Sequence, residues 1–200
     1  MVNPYAYRLD ALVDVLFTAA KDAEDKTGDA PEPDEKRPPT GTSTWEFTTP
    51  SALAAKRSTI IAAVSSRLGQ TLIKRTRATY WDSSKEHRAI CTLSKRYSRD
   101  TSIPYWFAYH PAWDEFLSAA ADSSVILGAM DLSICFALPH KIFQSRLHEL
   151  NTTENADGSM YWHVKILEQE AGVFALQMPK SGDHLSLAGF SIPVPDESPS

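Results

Sequence analysis

No stretch of this 200-residue chain stays apolar for the ~18 residues that a membrane span requires. The N-terminus, MVNPYAYRLDAL, lacks a basic segment followed by an apolar one, so no secretory signal is expected there. Cysteine is scarce. Cys91 and Cys135 are the two present, both in apolar, strand-like runs, and their spacing fits no zinc pattern. We expect two buried thiols in a soluble, cytoplasmic protein. Also missing are a P-loop, GxGxxG, GxSxG, HExxH and any internal repeat, which leaves no motif from which a reaction can be read.

Cations are present but unevenly placed. Residues 1–50 hold 5 basic and 10 acidic side chains, while residues 51–100 hold 11 basic and 3 acidic. Residues 101–150 hold 2 and 5, and residues 151–200 hold 2 and 7. An acidic chain that gathers its Lys and Arg in one quarter calls for a local polyanion-binding patch, to be weighed against neutralisation by the acidic quarters.

Asn3-Pro4 followed by Leu9, Leu12, Val13, Leu16 and Phe17 predicts an amphipathic helix over about 4–22, within an N-terminal segment 1–22. Residues 23–44 are charged, Pro-rich and poor in large apolar groups, the composition of a flexible linker. A single domain is expected over 45–192, with 193–200 as a disordered tail.

Within that domain Pro50-Ser51 opens a helix that Gly69 ends. Strands follow at 72–81 and 88–97, joined as a hairpin by DSSKEH, then at IPYWFAYH, SVILGAMDL and SICFAL. A helix begins after Pro139, a polar loop spans NTTENADGS, and MYWHVKIL with GVFALQM makes a last hairpin. The expected class is α+β: one mixed, mostly antiparallel sheet with packed helices, plus the tethered N-terminal helix.

Strand alternation applied to the basic hairpin puts Arg75, Arg77, Arg88 and Arg96 together on an outer face, with Trp81 nearby to stack a base. Lys56 and Arg57 extend the patch from the preceding helix. This points to a nucleic-acid-binding protein that grips phosphates, DNA or RNA undecided. The other reading is a protein-interaction module, docking a partner or a second copy through residues 4–22 and the basic face.

Hydrolysis of the bound polymer is a subordinate expectation. A metal-dependent nuclease needs carboxylates around Mg²⁺ and a lysine at the developing charge. Asp82, Asp114 and Asp131 are the candidate ligands, and Asp131, Lys95, His110 and Asp114 the candidate catalytic set. The order helix, three strands, helix, strand resembles the core of restriction-endonuclease-like nucleases in architecture. Their acidic residue two positions before a lysine has no counterpart, since the matching place reads Leu93-Ser94-Lys95.

Overall fold

A computed structural model describes residues 49–96 and 103–195. The helix expected over 4–22, the linker 23–44 and the domain start at 45 lie outside the described residues.

Helix α1 (Pro50–Leu68) forms where its caps dictate. The Thr49 hydroxyl accepts from the Ala52 N–H at 3.2 Å, and Pro50 fills the first turn, where no donor is needed. Gly69, at φ 67°, closes the other end. Gly69 N–H reaches Ser66 O at 3.3 Å and Gln70 N–H reaches Ser65 O at 3.1 Å, the paired bonds of a Schellman closure.

Among the described residues, eleven strands make two sheets, not one. The first runs β1 (Ile73–Lys74), β2 (Thr79–Trp81), β3 (His87–Ser94), β5 (Asp122–Ala129), β6 (Ile134–Pro139), β11 (Ser191–Pro193). The second runs β10 (Asp183–Ser186), β9 (Val173–Met178), β8 (Met160–Glu170), β4 (Tyr105–Tyr109), with β7 (Thr152–Glu154) also on β8. β7 lies in the stretch expected to be a polar loop. Pairing is antiparallel except between β3 and β5, which run parallel because the chain leaves the first sheet through β4 and α2 (Pro111–Ser118) before returning. Helix α3 (His140–Ser145) follows β6. The class is therefore α+β with mixed sheets.

The second sheet explains why β3 and β5 are apolar on both faces. Ala89, Cys91, Leu93 and Ile126 pack against Ile60, Ile61 and Val64 of α1. Ile90, Val125 and Leu127 face the opposite way, into a core shared with Tyr105, Phe107, Val164 and the helices' Trp113 and Phe143. Gly128 lets α1 approach: a Cβ there would meet Ile60 Cδ1 at 2.5 Å and Leu93 Cδ2 at 2.7 Å. Packing continues past the expected end of the domain, for Val194 is buried against the α1 side and its N–H donates to Ser133 O at 2.8 Å. No described helix is long and apolar enough to cross a membrane.

The basic hairpin departs from expectation in one respect that matters. The strand predicted over 72–81 breaks after Lys74 and folds back, so Ile73 pairs with Trp81 and Lys74 with Tyr80. Arg75 N–H donates to Thr79 O at 2.9 Å, and the Thr76 and Thr79 hydroxyls meet at 2.7 Å. Threonine hydroxyls that bond their own backbone compete with an extended ladder, and here they win. Arg75 and Arg77 sit in a turn, so alternation does not govern where they point.

Candidate nucleic-acid interface

Four arginines on one outer face do not occur, because β3 has no outer face. Arg96 is instead clasped by two carboxylates, Nε to Asp131 Oδ2 and Nη1 to Glu168 Oε2, each at 2.7 Å. Tyr105 donates to the same Asp131 oxygen at 2.9 Å. These bonds raise the Arg96 pKa and, with Arg96 as the first cause, lower that of Glu168. Asp131 therefore ties the end of β3 to the β5–β6 turn. Lys95 lies half-buried just past the end of β3.

Lys56 and Arg57 do not extend a patch either. Lys56 Nζ donates to Leu132 O at 2.8 Å, and Arg57 is buried on the sheet side of α1. Arg77 is half-buried in the β1–β2 turn.

Arg75 and Arg88 do converge, in a way that alternation could not show. Arg75 Cζ lies 4.5 Å from the Trp81 ring centroid and 5.6 Å from that of Phe116 on α2. Arg88 Cζ lies 5.0 Å from the Phe116 centroid, and Lys85 Nζ lies 5.0 Å from that of Trp81. The sequence Lys85, Trp81, Arg75, Phe116, Arg88 thus alternates cation and ring like a ladder. Each contact is attractive because the ring face carries negative partial charge. Arg88 is further anchored by Nη1 to Phe116 O at 3.0 Å, while its buried Nε has no hydrogen-bond partner. Burial, and next the Arg88 charge, lower the Arg75 pKa. Two guanidiniums are held close enough to repel.

The turn bearing Lys85 is built for this placement. The Asp82 carboxylate accepts from His87 N–H at 3.1 Å and from the Ser84 hydroxyl, and Asp82 N–H donates to His87 O at 3.0 Å. Ser84 is the leading cause of a lowered Asp82 pKa. Lys85 adopts φ 61°, the one left-handed non-glycine among the described residues.

The carboxylates proposed as metal ligands are engaged in three unrelated settings: Asp82 in its turn, Asp131 with Arg96, and Asp114 elsewhere. Among the described residues no group of three His, Cys, Asp or Glu side chains could hold a metal. The expected Mg²⁺ centre is not assembled. Asp114 pairs with His140 instead of His110. Its Oδ1 takes His140 Nε2 at 2.7 Å and the Tyr109 hydroxyl at 3.1 Å, and its Oδ2 takes Gln144 Nε2 at 3.0 Å. This network ties α2 to α3 and to β4. His110 turns its ring edge-on to Trp113, centroids 4.8 Å apart.

Two histidine clusters were not visible in the sequence. On the outer side of the second sheet, Trp106 Nε1 donates to His163 Nδ1 at 3.1 Å, so Nε2 carries the proton and donates to Thr153 Oγ1 at 2.6 Å. Tyr161 stacks on the same ring. Burial lowers the pKa of both His110 and His163, Lys165 adding to the second. Groups held neutral in the fold and free to charge when unfolded bind more protons unfolded, so stability drops as pH falls below about 6.5. Chemical denaturation at pH 7.5 and 5.5 should show lower stability at 5.5, with the difference reduced in His163→Gln. Equal stability at both pH values would contradict this.

The second cluster sets His87 Nδ1 3.0 Å from Asp122 Oδ2 and Nε2 3.4 Å from Ser124 Oγ. Its exposure is the reverse of what a nucleophile needs, since Ser124 is buried and the Asp122 side chain is 77% exposed. The trio clips β3 to β5. Compared with protein-family models, curated proteins and solved structures, the chain matches none.

Proposed function

We propose that this protein binds nucleic acid, and that the contact is the cation–ring ladder Lys85, Trp81, Arg75, Phe116 and Arg88. The observation that carries the reading is the approach of Arg75 and Arg88 over one Phe116 ring. Two guanidiniums that repel one another gain most from an anion placed against both, and guanidinium geometry suits phosphate oxygens. The Lys85 backbone supports the same reading. A left-handed lysine costs on the order of 1–2 kcal/mol, and such strain concentrates at functional positions. Hydrolysis is not part of the proposal, because Asp82, Asp114 and Asp131 each serve a local structural network.

The test is affinity for duplex and single-stranded nucleic acid as a function of salt. Three phosphate contacts give a slope of log affinity against log salt of about −2.7 on duplex and about −2 on single strands. Binding in the range of nonspecific association, about 10⁻⁴ to 10⁻⁶ M, is expected at physiological salt. No binding at low salt would overturn the proposal.

A further inference from the structure

We infer that the outer face of the second sheet binds single-stranded nucleic acid by stacking its bases on Trp106, Tyr161 and His163. This rests on the nucleic-acid reading above and deepens it, by adding a base contact to the phosphate contacts of the ladder. Strand alternation assigns the face. Tyr105, Phe107 and Tyr109 of β4 and Val164 and Ile166 of β8 point into the core, so Trp106, Tyr161, His163 and Lys165 point away from it. All four are half-buried, so each keeps surface for a ligand. The register sets them side by side: Trp106 faces Lys165 and Ala108 faces His163 across β4 and β8, and Thr153 of β7 faces Tyr161.

The polar atoms of two of these rings are already engaged. Trp106 Nε1 donates to His163 Nδ1 at 3.1 Å, and His163 Nε2 donates to Thr153 Oγ1 at 2.6 Å. An indole has one donor and an imidazole two nitrogens, so neither ring has a hydrogen-bonding atom left to read a base edge. What they offer is aromatic surface. Charge selects the class of ring ligand. The chain carries a net charge of −5, yet the outward positions of β4, β7, β9, β10 and of β8 from Tyr161 to Leu167 hold no Asp or Glu and one lysine, Lys165. Aromatic rings strung on an anionic chain fit such a face, as the bases and phosphates of a single strand are. A duplex does not, because its bases are held inside the stack. One helix joins the face to the ladder. The His110 ring lies 6.0 Å from that of Tyr161, and His110 is the N-cap of α2. Phe116 stands six residues on, about 9 Å along the helix axis. That gap is about three nucleotides at the ~3.4 Å rise of one strand.

The test compares a single strand, its duplex and a single-stranded oligomer of abasic deoxyribose phosphates, each bound to the full chain. The wild type should hold the single strand about fivefold or more tighter than the abasic oligomer. Tyr161→Ala should weaken the single strand by about fivefold or more per stacked base and leave the duplex and the abasic oligomer within about twofold. Lys165→Gln removes no ring and serves as the second variant. It should make the slope of log affinity against log salt shallower by about 0.7 on the single strand and leave the duplex slope unchanged. Weakening of all three ligands alike by Tyr161→Ala, weakening of none, or an unchanged single-strand slope in Lys165→Gln overturns the inference and leaves the ladder reading standing. Where Tyr161→Ala does not fold, the Lys165→Gln slope decides alone. Binding of no ligand by the wild-type chain at low salt overturns both.

Discussion

Arg75→Glu combined with Arg88→Glu is expected to lower affinity for nucleic acid by at least 100-fold, with the fold intact. Hydrogen bonds to a charged partner contribute about 1.5–3 kcal/mol each, and every 1.4 kcal/mol is about tenfold. Losing two such contacts reaches the stated factor before the new repulsion between carboxylate and phosphate is counted. Some stability is lost with the Arg88 Nη1 bond to Phe116 O, but both side chains are half-buried at the sheet margin, outside the two apolar clusters, so the fold is retained. Electrophoretic or anisotropy binding assays, with circular dichroism as the control on folding, make the comparison. The double variant Lys56→Glu with Arg96→Glu is a useful contrast. Those cations serve the Leu132 carbonyl and the Asp131–Glu168 pair, so their replacement should cost stability first. Equal affinity in wild type and the Arg75–Arg88 variant would mean that the ladder is a structural feature only.

Asp114→Ala is expected to destabilise the fold by about 2–4 kcal/mol, from the cost of leaving polar partners unsatisfied. The carboxylate serves two donors that water reaches poorly: the Tyr109 side chain is 1% exposed and His140 3%. Burial and the adjoining carboxylate both raise the Tyr109 pKa, so the phenol remains protonated and needs its acceptor. Removal leaves that hydroxyl and His140 Nε2 without a partner at the junction of β4, α2 and α3. Tyr109→Phe should cost less, and the two substitutions together should cost less than the sum of each alone, because the first removes part of what the second disrupts. Urea denaturation of the four proteins measures this. An Asp114→Ala protein as stable as wild type would show that the network contributes nothing.

Local signals in the sequence located most elements. Pro50-Ser51 and Gly69 located α1 because the residues at helix ends act within a turn of the chain, and the apolar run SVILGAMDL located β5. What failed was long-range. Apolar groups on both parities of β3 need a second layer, and nothing within residues 87–94 states that the layer is a separate sheet. Assigning one parity to solvent placed the arginines on a face that is in fact core. The break at Arg75–Ala78 was hidden because Thr and Arg are compatible with both strand and turn. The ladder was half legible: Arg75, Arg88 and Trp81 were singled out, yet Phe116 belongs to a helix 28 positions beyond Arg88, and Lys85 looked like an ordinary loop residue. Asp114 was placed in one candidate set with His110, whereas its partner His140 is 26 positions away.

The most direct measurement is the salt dependence of duplex binding in wild type and in Arg88→Gln. Loss of one phosphate contact removes one set of released counterions, so the slope should become shallower by about 0.9. An unchanged slope, with binding retained, would mean that Arg88 touches no phosphate and that the nucleic acid is held somewhere other than the ladder.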